Sequence, residues 1–327
     1  MLHIYMAHFE NLSASLLARL CPSQVPRPCN IFVDFPTLLF LLFCIMNTIL
    51  PPALAPYIGQ CIQQQSLTLL TSVLDTPTNW LFIRFLLAVL GQQNDQKRSS
   101  LQVTSSDGVS KECKVVLFSA YRSFDLWSEI ARKNGLNLQN ATSLGRLCYI
   151  DGLSTRPQDM AGVINLDDLT LKSLTNAFGK AVQSISAPQP TAPIIILIDG
   201  LDFLLASQPS TSIAEVQQLL LDLQCSAHNV VIACAADSTL LHNSEASATP
   251  LELDHTVFAR TLAHNTRWIF QLRPLETGQS KEVSGSVRAS RGGAWEAIEG
   301  QHDLADGEWL YHLKGDGSVR VWGRGEA

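Results

Sequence analysis

The chain has 327 residues, 46% of them hydrophobic and 16% charged, with a formal net charge of −6. This composition excludes a disordered chain and fits one large α/β domain or two small ones. The acidic balance excludes a generally basic nucleic-acid binder, while leaving room for a local basic patch or one shared with partners.

Residues 1–58 read as an N-terminal extension and linker. Within "IFVDFPTLLFLLFCIMNTIL" (31–50), Asp34 and Pro36 confine the clean apolar run to Leu38–Ile45. That is short of the ~20 residues of a spanning helix, and the run starts late for a signal peptide. Met46 reads as a natural start, with the part before it an extension of the gene model. The alternative is a membrane-tethered adaptor using residues 31–50. Pro51, Pro52 and Pro56 mark a linker, placing the main domain at 59–327.

From residue 66 the rhythm is strand, helix, strand, helix. "LTLLTSV" is an apolar strand. Thr76 is placed to cap a helix with Pro77 at its first position, and Gly91 stops it. Between Trp80 and Leu90 only Arg84 interrupts the apolar run, so this helix is expected to be buried on most sides. A polar insertion follows at about 91–112. "CKVVLFSA", "RLCYIDGL", "APIIILIDG" and "NVVIACAA" are further strands. Helices are expected over 123–135, over 167–185 and after Ser212, which forms a capping box with Glu215. The stretch 237–256 reads as a loop.

Continuous apolar strands alternating with amphipathic helices predict an α/β fold with a mostly parallel central sheet flanked by helices. "GSVRASRGG" and "EWLYHLKGDGSVRVWGRG" predict an antiparallel C-terminal hairpin turning at Gly315-Asp316-Gly317. The combination suits a RecA-like domain, and the core pattern alone suits other doubly wound folds as well.

A working phosphate loop needs glycines whose backbone N–H groups cradle phosphate, a lysine, and Ser or Thr for magnesium. No glycine occurs between Gly59 and Gly91, and the first lysine of the chain is Lys97. The turn holds Asp75, Thr76, Pro77, Thr78 and Asn79 instead. Asp75 repels phosphate and Pro77 removes a donor. Autonomous ATP hydrolysis is therefore not expected, and no cofactor is implied. Asp199, ending "IIILID", stands where such a fold keeps its magnesium acid. It reads either as a relic of that acid, in reach of a neighbour's site, or as a strand-end residue of the Asp-Gly turn.

No other catalytic set emerges. Asp199 and Asp202 have no acid–base partner, and Ser119 and Ser123 lack a hydrolase elbow. His228, His242, His255 and His264 fall in no metal motif. The eight cysteines form no CxxC pair; Cys113, Cys148 and Cys234 read as small buried hydrophobes in a reducing compartment. The expectation is no metal and no enzyme.

In their order along residues 66–325, "SLTLLTSVLDTP", "VVLFSAYRSFDLWSEIARKNGLNL", "GRLCYIDGL", "IIILIDGLDFLL", "GSVRASRGG" and "EWLYHLKGDGSVRVWGRG" resemble the Elongator complex protein 6 family. The resemblance implies a RecA-like fold without ATP-binding motifs. It implies a hetero-hexameric ring with the fourth and fifth Elongator subunits, which binds tRNA and supports wobble-uridine modification in the cytoplasm and nucleus. Catalysis then resides in the catalytic Elongator core. On that footing Trp80, Phe82 and Arg84 are candidates for subunit contact, with a wholly intrachain helix as the alternative for Trp80 and Phe82. Tyr121, Arg122 and Arg156, in loops after two strands, are candidates for stacking on RNA and for phosphate contact; a solvated loop arginine is the alternative. The competing reading is a degenerate RecA-type nucleotide-binding or recombination-related protein with weak ATP binding.

Overall fold

The strand–helix alternation is present in a computed structural model, which describes residues 50–325 apart from 64, 92–102, 105–109, 112, 154–159, 188–190, 209, 242–247, 276–279 and 298–302. Most of the N-terminal extension and of the polar insertion thus lie outside the described residues. No helix among the described residues is long and apolar enough to cross a membrane.

Helix α1 (Ala55–Gln63) leads into β1 (Ser66–Ser72) and α2 (Asn79–Leu90), and then a two-stranded ribbon, β2 (Val103–Thr104) with β3 (Ser110–Lys111). Next come β4 (Lys114–Ser119), α3 (Phe124–Lys133), α4 (Leu138–Ser143), β5 (Leu147–Asp151), β6 (Val163–Asn165) and α5 (Leu171–Ser186). They are followed by β7 (Ile194–Asp199), α6 (Leu201–Ser207), α7 (Ile213–Ser226), β8 (Asn229–Ala235) and α8 (Pro250–Asn265). The chain closes with β9 (Trp268–Arg273), β10 (Gly285–Arg291), β11 (Gly307–Leu313) and β12 (Val319–Gly323).

One ten-stranded sheet runs in the order β12-β11-β10-β9-β1-β8-β7-β4-β5-β6. From β9 to β6 every pairing is parallel, and from β9 to β12 every pairing is antiparallel. Strands β4, β5 and β7 are buried at every position because helices cover both faces. Successive side chains alternate between two cores. Val115 and Leu117 belong to a core with Leu54, Phe82, Phe85 and Trp127 on one face, while Val116 and Phe118 belong to a core with Leu174, Phe178, Val216 and Phe258 on the other.

Three local expectations change. Thr78, rather than Thr76, stands at the N-cap of α2, because Thr76 folds back on its own loop. Residues 250–265, read partly as loop, form α8: Thr249 and Glu252 make a capping box, with Pro250 in the first turn. The proline-marked linker is packed, with Leu50, Leu54, Tyr57 and Ile58 buried in the α2 core and the Tyr57 hydroxyl donating to the Ala305 carbonyl at 2.7 Å. The C-terminal hairpin turns as read. At that turn Lys314 donates its N–H to the Ser318 carbonyl at 3.0 Å, and Gly317 takes a φ of 86°.

Candidate functional site

Adjacent parallel strands bring their carboxyl ends to one edge of the sheet, where doubly wound folds place their ligands. The β4–β7–β8 register sets Ser119 beside Asp199 and Asp199 beside Ala233. Asp199 is buried. Its carboxylate accepts the Ser119 hydroxyl at 2.7 Å and pairs with the Arg122 guanidinium at 2.7 Å. Burial pushes this carboxyl up, and Arg122 and Ser119 pull against that rise. The Ser119 hydroxyl also accepts the N–H groups of Tyr121 and Arg122, fixing the turn that aims the arginine. Tyr149, from β5, donates its hydroxyl to the Arg122 carbonyl.

One turn further on, Asp202 ties two strands together. It accepts the Tyr121 hydroxyl at 3.3 Å and the Ala235 N–H at 2.8 Å. Burial and then the Asp202 carboxylate push the Tyr121 phenol up. Gly200 joins the two acids at a φ of 97°, and a Cβ there would lie 2.8 Å from the Tyr121 ring. Both the backbone conformation and the space call for glycine.

The turn after β1 is closed on itself. Val73 donates its N–H to the Thr76 hydroxyl, Thr76 donates its N–H to the Val73 carbonyl, and Leu74 donates to Asp237 at 2.9 Å. Asp75 adopts a φ of 68°, which an aspartate tolerates better than most residues. The Val73, Leu74 and Thr76 N–H groups are thus consumed within the protein, with an Asp237 carboxylate beside them. Thr76 and Thr78 are buried, while Asp75 and Pro77 are exposed.

Asp202, Cys234 and His255 bring ligand-type atoms within 4.8 Å of one another. The chemistry of the donor set opposes a metal. The His255 Nε2 lies 2.8 Å from the Ala235 carbonyl, which accepts only, so that nitrogen carries a proton. Burial, then Asp202, pushes the Cys234 thiol well up, so Cys234 rests as a neutral buried thiol. The three form a hydrogen-bonded support for the end of β8.

Large apolar side chains rim this edge. Leu74 (79% exposed), Tyr121, Leu126, Leu153 and Phe203 are all exposed, on the loop or first helical turn after β1, β4, β5 and β7. Tyr121 and Phe203 meet edge-on at 5.8 Å.

The other candidates separate. Arg156 lies outside the described residues. Trp80 is buried against Tyr311 at 5.0 Å, and Phe82 against Trp127 at 6.1 Å, inside the chain's own core. Arg84 is also buried; its guanidinium donates to Asn134 at 3.0 Å, and burial holds it down to about 10. Residue pattern alone presents Ser119 as a nucleophile without an elbow and Arg122 as an RNA contact, not as the partners of Asp199, and Asp237, which accepts the Leu74 N–H, belongs to no motif.

Fold and site together define a RecA-like α/β domain whose phosphate turn is sealed and whose strand-end acid is neutralised by its own arginine. A family model described as Elongation complex protein 6 matches residues 106–312, and the chain belongs to that family. It is 25% identical over 192 residues to Elongator complex protein 6 of Xenopus laevis, covering 55% of this chain and 69% of the relative. The protein of the same name from Xenopus tropicalis is 24% identical over 191 residues, with the same coverage.

Proposed function

We propose that this chain is a non-catalytic subunit of the Elongator complex, which joins the fourth and fifth subunits in a hetero-hexameric ring. In this reading the ring binds tRNA and supports wobble-uridine modification in the cytoplasm and nucleus, while the catalytic core acts elsewhere in the complex. The observation that carries it is the carboxyl edge. Where a nucleotide would lie, backbone donors and the strand-end acid are satisfied internally, and the surrounding rim exposes five large apolar groups. Such an edge favours contact with another protein over turnover of a nucleotide.

Within the tRNA reading, exposed Tyr121 is the stacking candidate. Arg122 is already engaged by Asp199, so it offers phosphate only its outer edge. Co-expression of the chain with the fourth and fifth Elongator subunits of its own organism, followed by native mass measurement, tests the assembly. Two copies of each are expected; a lone monomer beside a complex of the other two would overturn the reading. Nucleotide titration of the isolated chain, with no binding expected, separates it from a degenerate nucleotide binder.

A further inference from the structure

Near the far end of α3 from the Asp199 cluster, a cleft of about 470 Å³ opens between Pro51 and Pro52, the α3 terminus and β12. Arg84, Lys133, Lys314 and Arg320 line it, and among the described residues no carboxylate does. In a chain of net charge −6, that concentration of cations runs against composition. Lys133, Lys314 and Arg320 are exposed, with Lys133 in an exposed pair with Glu129. Arg84 reaches the cleft from the core, beside Asn134.

Ser318, Val319, Arg320 and Val321 line the cleft in succession. Successive side chains of a strand point to opposite faces, so four consecutive lining residues mean that the cleft follows the strand's edge. Strand β12 ends the ten-stranded sheet and, among the described residues, pairs only with β11. The hairpin closes through the Lys314 N–H to the Ser318 carbonyl. Alternation along the ladder then assigns the β11 bonds to the His312–Arg320 and Leu310–Trp322 pairs. The backbone groups of Val319 and Val321 are therefore directed outward, into the cleft. Edge charges of one sign repel a like edge, and the same charges attract a strand of the opposite sign.

We propose that β12 and its flanking cations form a docking groove for an extended acidic segment of another protein, which adds to the sheet as a further strand. A peptide fits better than RNA because the lining, among the described residues, carries no aromatic ring for base stacking, whereas the outward N–H and C=O groups match a strand. The inference rests on the cleft alone and stands apart from the ring composition.

The test uses the full chain and a fluorescent peptide of about eight alternating Glu and Val residues, the span of an ordinary strand. An alternating Glu–Pro peptide of equal charge and a single-stranded RNA of matching length serve as comparators. The Glu–Val peptide is expected to bind, and the Glu–Pro peptide to bind markedly less, because proline cannot sustain the ladder. Lys314→Glu with Arg320→Glu, at exposed hairpin positions, should weaken the Glu–Val peptide about tenfold or more. Lys133→Glu, on a different element, provides the same readout should the hairpin variant fold poorly. No peptide binding, equal binding of the Glu–Pro peptide, or tighter RNA binding abolished by the same variants would each overturn the proposal.

Discussion

Asp199 occupies the position from which a RecA-like domain would hold magnesium through water, yet its carboxylate faces an arginine and a serine of its own chain. Removing one partner of a buried ion pair strands the other charge. Arg122→Ala is therefore expected to cost about 3 kcal/mol in urea unfolding, and adding Asp199→Asn should recover most of that loss. The pH dependence follows from burial, which raises the Asp199 carboxyl above its ordinary 3.8 and does so further without Arg122. A raised carboxyl contributes stability below its unfolded value and loses it as pH rises through the folded one. The Arg122→Ala deficit should thus be largest at neutral pH and shrink toward pH 4; a deficit flat across that range would reject the stranded-charge account. At Gly200 the left-handed backbone alone makes Gly200→Ala cost about 1–2 kcal/mol, and Tyr121→Ala should relieve only the added steric part.

At the scale of single elements, caps decide where helices begin. In α7 the Ser212 backbone N–H and hydroxyl hold the exposed Glu215 carboxylate below its ordinary value. A lowered carboxyl contributes above its unfolded value and is lost as pH falls through the folded one. A carboxyl titration by NMR should place the Glu215 midpoint below that of an unstructured peptide, and Ser212→Ala should return it upward. The same S/T-x-x-E spacing recurs at Thr249–Glu252, where Thr249→Ala should cost about 1 kcal/mol, read by thermal unfolding. That signal was legible, but the polar run before it favoured a loop reading. Helix α2 shows the opposite case. Its uniform apolar pattern announced burial without naming what buries it, since hydrophobic periodicity reports a face and not its partner.

For the whole molecule the cover of α2 is the informative feature. Strands β9 to β11 carry Phe270 and Tyr311 onto Phe85 and Trp80, and α1 brings Tyr57 against Trp268 and Trp309. A chain beginning at residue 59 loses Leu50, Leu54, Tyr57 and Ile58, each worth about 1.5–3 kcal/mol when fully buried. It is expected to unfold well below a chain beginning at Met46 in a thermal melt; equal melting would show that these residues add nothing to the core. The three candidates on α2 divide on the same ground. For Trp80 and Phe82 the apolar pattern leaves a subunit contact and the chain's own core both open, and the packing places them in the core, while Arg84 alone of the three reaches a cleft.

By itself the sequence determined the α/β alternation, the antiparallel close and the loss of a phosphate loop. Each is a local pattern, or the lack of required residue types within one short turn. Only the tertiary structure decided which groups satisfy the vacated edge. Arg122 meets Asp199 across 77 residues, and Leu74 meets Asp237 across 163. Those meetings follow from the β1-β8-β7-β4 strand order, which crossover connections set and no local spacing encodes.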